Sequence, residues 1–298
     1  MTSIRSFPHL LKLSNLGENR HFGASFNLFA CDKIIRIGAR EAVMEEAIQE
    51  ASIVILSAEY VVALTGAGVS VESGIPPFRG PGGLWTRFGE PPMDGYRRFL
   101  ADPKKYWEER LKPRKRRGLG TSISEAKPNP GHYALAEMEE IGLMKTLITQ
   151  NIDNLHIVAG SRKVLEIHGN THKLRCVECS ARFARSEFDL SELPPRCPKC
   201  NGVVKGDTVM FGEPIPSDVL RRCMTEAKRC DCMLLIGTSA IVYPAASLPL
   251  TVKQKGGTLI EVNPMQSELT SLCDISVRAP SGEALPKLVS ALRRLRGD

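Results

Sequence analysis

Long apolar runs are missing from this chain. No stretch approaches the roughly 20 residues that a membrane-spanning helix needs, so no membrane contact is expected. A strong charge of one sign is missing too. The net charge is +7, but residues 1–40 hold six Lys/Arg and two acids, leaving 34 basic and 31 acidic residues for the remainder. So nearly neutral a body argues against a dedicated nucleic-acid binder. Nor do the nine cysteines form a compact disulfide framework, since four sit in two C-x-x-C pairs and five are scattered. That usage suits a reducing compartment and a metal site, and cytoplasmic location is the expectation. The 298 residues suffice for one large domain and a smaller one.

One glycine is missing where it would be informative. The apolar run Tyr60-Val-Val-Ala-Leu64 leads into Thr65-Gly-Ala-Gly-Val-Ser70, and a strand ending in Gly-x-Gly lets the backbone approach a pyrophosphate. Val71 stands where a dinucleotide-binding fingerprint has its third glycine. Gly74 comes next, and Pro76-Pro77-Phe78-Arg79 ends any helix almost as soon as it starts. The segment reads as a nucleotide site whose loop has another job. A hydride-transferring dehydrogenase needs no aromatic and arginine on a proline-stiffened loop beside its cofactor. A redox enzyme is disfavoured further because no acidic residue follows at the ribose position of the standard motif.

Short apolar runs closing on polar or glycine residues recur at 60–66, 143–151, 163–169, 233–239, 258–263 and 275–279. Helical patterns separate most of them, at 132–141, 152–159, 217–228, 244–254 and 283–295. Such alternation predicts an α/β fold, a doubly wound parallel Rossmann-like sheet with ligands beyond the carboxyl ends of the strands. Two segments interrupt it. Residues 81–127, rich in aromatics, read as a small helical insertion, and residues 170–208 as a zinc-binding insertion. The nucleotide-binding body is then 44–80, 128–169 and 209–298. Residues 1–43 show no sustained period and read as an extension outside the core: a disordered arm, an unused upstream start or a faint transit peptide. An amphipathic helix starts at Met44.

Cys176, Cys179, Cys197 and Cys200 form two C-x-x-C pairs separated by 17 residues. Four thiolates at that spacing close a tetrahedral, structural zinc site, with redox dithiols as the blander alternative. Of the six histidines, His9 and His21 lie in the extension, His132 at a helix start, where capping or packing is expected, His156 on the helix after Asp153, and His172 close to the cysteines. His168 ends an apolar strand before Gly169, which is where a general base facing a ligand crevice belongs, although buried structural histidines occur there as well. Asn151 and Asp153 close the preceding strand and could hydrogen-bond a ribose and a carboxamide.

Taken together these residues resemble the sirtuin family of NAD-dependent protein deacylases, especially its compact archaeal and bacterial members. The matches run in family order from about residue 45 to 295: Gly66-Ala-Gly-Val-Ser70, Gly74-Ile-Pro76, Phe78-Arg79-Gly80, Pro128-Asn-Pro130, Thr149-Gln-Asn-Ile-Asp153, Leu165-Glu-Ile-His-Gly169, both cysteine pairs, Phe211-Gly-Glu213, Gly237-Thr-Ser239 and Val262-Asn263. The resemblance implies transfer of an acyl group from lysine to ADP-ribose, with release of nicotinamide and O-acyl-ADP-ribose, and one structural zinc ion. It assigns NAD, a co-substrate, to Gly66, Ala67, Gly68, Ser70, Gln150, Gly237, Thr238, Ser239 and Asn263. Ile75, Asn151 and Asp153 fall at the nicotinamide end, with Phe78 and Arg79 on the covering loop. His168 becomes the general base acting on a ribose hydroxyl.

Val209, Phe211, Gly212, Glu213 and Val242 fall in two strands between which an acyl-lysine peptide pairs. The partners implied are acylated-lysine proteins or peptides, with no membrane and no direct nucleic-acid binding, and a monomer is compatible with the chain. Two departures stand out. The Tyr-x-x-Arg pair of desuccinylating relatives is lacking after Trp107-Glu-Glu109, and Ala279-Pro-Ser281 replaces the usual glycine turn behind the adenine. The basic run Lys112 to Arg117 reads as a solvated loop. Rival readings are a mono-ADP-ribosyltransferase on the same fold and a zinc-ribbon nucleic-acid module.

Overall fold

The computed structural model describes residues 24–112 and 123–297, with side chains from residue 38 onward. His9, His21 and the arginines of the 114–117 run lie outside the described residues. The first helix, α1, spans Ala24–Ser57 and so begins well before Met44. No proline and only Gly38 interrupts that stretch, so a helix nucleated by the amphipathic part meets no breaker on the way back to Ala24. Among the described residues no helix is long and apolar enough to cross a membrane.

Six strands form one all-parallel sheet: β1 (Val61–Thr65), β2 (Met144–Thr149), β3 (Val164–Glu166), β7 (Cys232–Ile236), β8 (Thr258–Val262) and β9 (Ile275–Val277), in the order β3-β2-β1-β7-β8-β9. The remaining strands are β4 (Lys173–Cys176), β5 (Arg182–Ala184) and β6 (Val204–Gly206), a small antiparallel sheet ordered β5-β4-β6. Both faces of the large sheet are buried, which is why its strands read as continuous apolar runs rather than alternating ones. Val61 and Ala63 pack on one face with Met44, Ile48 and Ile55 of α1, with α5 (Pro130–Glu140) and with α9 (Ser281–Arg296). Val62 and Leu64 pack on the other with α7 (Ser217–Arg229) and α8 (Ser247–Gln254). The sheet is therefore doubly wound, as expected.

Strand and helix limits differ from the sequence-based ones mainly at the ligand end. β2 and β7 stop at Thr149 and Ile236, because the residues beyond them turn into loops. The helix expected over 152–159 shrinks to α6 (Leu155–Val158). Asp153 Oδ1 accepts the Leu155 N–H at 3.0 Å and Asn154 sits at φ 70°, so the chain cannot be helical before that point.

The two insertions meet. α2 (Leu84–Phe88), α3 (Gly95–Ala101) and α4 (Pro103–Leu111) form the helical part, and the small sheet carries the cysteines. Trp107 of α4 is fully buried among Leu174, Cys176, Cys197 and Val204, and its indole N–H donates to the Val204 carbonyl at 2.8 Å.

Candidate active site

The strand order reverses direction between β1 and β7, and a crevice beyond the carboxyl ends of such a pair is where α/β sheets take their ligands. Here the two loops touch. Gly68 N–H donates to the Gly237 carbonyl at 2.8 Å, and Gly66 N–H to Ile236 O at 3.0 Å. A Cβ on Gly68 would stand 2.6 Å from Gly237 Cα and 2.7 Å from its oxygen. Neither is a flexible side chain, so the contact requires glycine. We expect Gly68→Ala to lower stability by about 2 kcal/mol, the usual cost of overpacking, and to weaken NAD binding. Thermal unfolding with and without NAD measures both; an unchanged melting temperature would contradict the close approach.

The segment after Gly66 is a 3-10 helix, Ala67–Ser73, ended by Gly74 at φ 84°. Ser70 is buried in it and donates to Asp153 Oδ2 at 2.7 Å. Asn151 Nδ2 donates to both Gly66 O and Ser70 Oγ at 3.1 Å, and Gln150 Nε2 to Thr238 Oγ1 at 2.9 Å. Asn263 Nδ2 reaches Thr238 O at 3.1 Å, and Ser239 O accepts from Glu268 N–H. The ends of β1, β2, β7 and β8 are thus knitted into one surface of amide, hydroxyl and backbone groups around Gly66, Ala67 and Gly68. Ile75 follows, its N–H on Ser70 O at 3.3 Å.

His168 stands at the end of β3, half-buried. Its Nδ1 is 3.0 Å from the Gln150 carbonyl, which can only accept, so Nδ1 carries the proton and Nε2 is the basic nitrogen. Burial lowers its pKa from the usual imidazole range, opposed by that hydrogen bond. The other two central histidines have different surroundings. His132 accepts the Asn129 N–H on Nδ1 at 3.2 Å in a capping box, and its Nε2 lies 3.4 Å from Ser70 Oγ. His156 Nε2 meets Thr65 Oγ1 at 3.0 Å, and the two rings lie 4.8 Å apart. His132, Ser70 and Asp153 therefore form a chain that orients the Asp153 carboxylate. Sequence reasoning assigned His132 to capping or packing. The sign of the wider role was its place at N3 of a helix whose first turn faces the Gly-rich loop.

Burial lowers the His132 pKa to about 4, opposed by Asp153. The unfolded chain, near 6.5, therefore takes up this proton first as pH falls. The stability it contributes is complete above about pH 6.5 and is lost progressively down to pH 4. At pH 5 the expected loss from His132 is about 2 kcal/mol. Urea unfolding at pH 7 and pH 5 reads it, and His132→Asn should flatten the difference by that amount; an identical pH dependence in that variant would refute the assignment.

The covering loop is held by aromatics. Phe78 and Trp85 rings lie 5.0 Å apart, Trp85 and Phe211 5.7 Å, and the Arg79 guanidinium sits 4.3 Å over Trp85 while pairing with Glu90 at 2.9 Å. Trp85 thus bridges the loop and the segment expected to bind substrate, a role that sequence alone did not single out.

Val209–Glu213 and Ile241–Tyr243 are not strands, contrary to expectation. Val209 N–H donates to His168 O at 2.9 Å, but Glu213 N–H then closes a turn on Met210 O, with Gly212 at φ 78°. Little extended backbone remains before the turn, and no neighbouring strand pairs with it among the described residues. Val242 is bonded within its own turn, Ala246 N–H donating to its carbonyl at 2.9 Å. Glu213 is the anchor of the first segment. Its carboxylate takes Arg175 Nη2 at 2.6 Å, Lys205 Nζ at 3.0 Å and the Met210 N–H at 2.8 Å.

The four paired cysteines come together as expected. Their sulfurs all lie within 4.8 Å of one another, with Cys176–Cys200 at 3.5 Å and Cys179–Cys197 at 3.7 Å. A tetrahedron of about 2.3 Å zinc–sulfur bonds needs sulfurs about 3.8 Å apart. The donor set fits one zinc ion and leaves no open position for chemistry.

Comparison with known proteins agrees with this geometry. The Sir2 family model matches residues 66–244. An NAD-dependent protein deacylase of Pyrococcus furiosus is 44% identical over 254 residues, covering 83% of this chain and 98% of that protein. Among solved structures, a Sir2 homolog–NAD complex matches with a TM-score of 0.69 and 42% identity, covering 83% of this chain and 94% of that one. A Sir2–p53 peptide–NAD+ complex matches with a TM-score of 0.65 and 33% identity, covering 83% and 98%. The glycine crevice, the histidine at the strand end and the four-cysteine cluster are thus carried on a chain that belongs to the Sir2 family.

Proposed function

We propose that this protein is an NAD-dependent protein-lysine deacylase, a deacetylase first of all, acting on acylated-lysine proteins or peptides in the cytoplasm. The observation that carries the reading is His168. It has a basic Nε2 at the edge of a crevice built from Gly66, Gly68 and Gly237, next to a segment anchored through Glu213. NAD, when bound, supplies a ribose carbon whose bond to nicotinamide breaks as the acyl oxygen attaches. Asn151 and the Ser70-oriented Asp153 hold the nicotinamide end, with Ile75 beside them. Gln150, Ala67, Thr238, Ser239 and Asn263 line the rest of the dinucleotide site. His168 Nε2 then takes the proton of a ribose hydroxyl. Phe78, backed by Trp85, excludes water from the ribose face, and Arg79 holds the loop.

The acyl-lysine lies along Val209, Phe211, Gly212 and Val242, with Phe211 on the aliphatic stem. An extended peptide adding between the two segments would supply the pairing that neither has alone. An apolar acyl group is favoured. Arg110, the nearest cation in sequence to the missing Tyr-x-x-Arg, instead faces the Tyr106 ring at 5.8 Å. Residues 44–80, 128–169 and 209–298 make the NAD-binding body of this reading.

Nicotinamide release with acetyl-, propionyl- and succinyl-lysine peptides tests it. Release that depends on an acetylated or propionylated peptide, with appearance of the O-acyl-ADP-ribose product, is the expected result. Radiolabel from NAD retained on protein, with no peptide deacylation, would turn the reading into mono-ADP-ribosylation.

A further inference from the structure

A cleft of about 770 Å3 lies at the opposite end of the sheet from the glycine crevice. Its walls come from the amino ends of three adjacent strands and from α7: Tyr60 before β1, Lys145 and Thr146 at the start of β2, Arg162 and Lys163 before β3, and Arg221, Arg222 and Arg229 on α7. Six cations thus face one carboxylate, that of Glu226, which is already engaged by Tyr60 OH at 2.7 Å and Thr146 Oγ1 at 2.8 Å. Residues 41–298 hold 34 basic and 31 acidic side chains; without these seven residues they would hold 28 and 30. The cleft lining thus carries a local net charge of +5, six cations less one acid.

Elsewhere in the chain, Arg175, Arg182, Lys205, Lys253, Arg278 and Arg293 are each paired with a carboxylate. Among the described residues, the side chains of Arg162, Lys163, Arg221 and Arg222 have neither an ion pair nor a hydrogen bond. Lys104, Lys127, Arg196 and Lys199 are also without an ion pair among those residues, but they are scattered over the surface rather than gathered in one concavity. Lys145 spends one hydrogen on Gly142 O, and Arg229 lies 4.2 Å over the Tyr60 ring. The turn carrying Arg162 and Lys163 is held in place, because Glu139 accepts both of their backbone N–H groups at 2.9 and 2.8 Å. Unpaired like charges held around one concavity are mutually unfavourable until an anion enters.

We propose that this cleft binds a small molecule carrying two or more phosphate groups, at the convergence of Arg162, Lys163, Arg221 and Arg222. The cleft volume is that of a small-ligand site, within the usual range of about 300–1,000 Å3. Arginine forks suit phosphate oxygens, and several separated cations match several phosphates rather than one. Val164 and Leu165 add an apolar wall for an organic portion. Confinement of the cations to one cleft, rather than a row, favours a compact ligand over a nucleic-acid backbone. The proposal is independent of the deacylase reading.

The test is titration of the full chain with inorganic tripolyphosphate and with ATP at about 50 mM salt, with saturating ADP-ribose present to fill the NAD crevice. One site per chain is expected, weakened at least tenfold in an R162Q/R221Q/R222Q variant and weakened by added salt. In the unmutated protein, tripolyphosphate should slow amine-reactive labelling of Lys145 and Lys163 at least fivefold, measured by peptide mass spectrometry, so the conclusion does not depend on the variant folding. Absence of binding to both probes, loss of binding on adding ADP-ribose, unchanged affinity in the variant, or unprotected lysines would overturn the proposal. So would a duplex oligonucleotide that displaces tripolyphosphate and binds more tightly than it.

Discussion

Replacing His168 by alanine is expected to lower deacylation of an acetyl-lysine peptide by about 10²- to 10⁴-fold, the usual contribution of a positioned general base, while zinc content and the unfolding transition stay close to those of the parent. Separation of the two effects follows from where the residue sits. His168 is half-buried at a strand end, and its one hydrogen bond among the described residues is to the Gln150 carbonyl. The neighbouring backbone bond, from Val209 N–H to His168 O, survives a side-chain truncation. Removal of His132 or His156 would be a different experiment. Both are buried and tied to Ser70 and Thr65, so their loss would disturb the floor of the crevice. The pH profile supplies an independent signature. Burial lowers the His168 pKa, so the basic form appears at lower pH than for a free imidazole, and the acid limb of kcat/KM should fall below about pH 6.5 with a plateau above it. Full activity in the alanine variant, or an acid limb above pH 7, would remove His168 from the base role.

Much of this arrangement was legible in the sequence, and the reason differs from part to part. The sheet strands were visible because both faces are covered, which leaves runs such as 61–64 and 232–236 entirely apolar. The zinc cluster was visible because a four-thiolate site needs two tight turns, and each turn is local in sequence. The Gly66–Gly68 loop was readable as a nucleotide site and Gly237 as part of it, but their direct backbone contact was not, because it depends on which strand lies beside β1. Parallel crossovers do not announce that order. The His132–Ser70–Asp153 chain was hidden for the same reason: it joins three segments that are far apart in sequence. Trp85 looked like one more aromatic in a helical insertion, and only its position between Phe78 and Phe211 gives it a function. The start of α1 was misplaced because sequence periodicity marks the face that is buried, whereas the helix itself continues until something breaks it.

Removing the zinc, by Cys197→Ser or by a strong chelator, is expected to cost solubility and to abolish peptide deacylation well before it abolishes NAD binding. Binding free energy at a four-thiolate site is about 10–16 kcal/mol, comparable with the whole stability of a domain at about 5–15 kcal/mol. The lobe has little else to hold it. Its three strands contain four, three and three residues, at the short end of the usual range of about 3–10, and its core is one small cluster around Trp107. The consequence reaches the substrate segment through charge. Arg175 precedes the ligand Cys176, and it bonds Asp207 at 3.0 Å and Glu213 at 2.6 Å, while fully buried Lys205 of β6 holds the other oxygen of Glu213. Glu213 in turn fixes the Met210 N–H. Loss of the lobe would strip a buried carboxylate of both cations, a change worth about 3–5 kcal/mol, and would release the turn that presents Phe211. The glycine crevice is carried instead by β1 and β7, in the middle of the large sheet. Partial chelation should therefore raise the peptide KM at least tenfold while the NAD dissociation constant stays within about twofold. Plasma emission spectrometry gives the zinc stoichiometry, expected to fall from one per chain to below about 0.1 in the variant. A soluble, zinc-free Cys197→Ser protein with an unchanged peptide KM would break the link between the lobe and Glu213, and parallel loss of NAD and peptide binding would show that the metal supports the sheet as a whole.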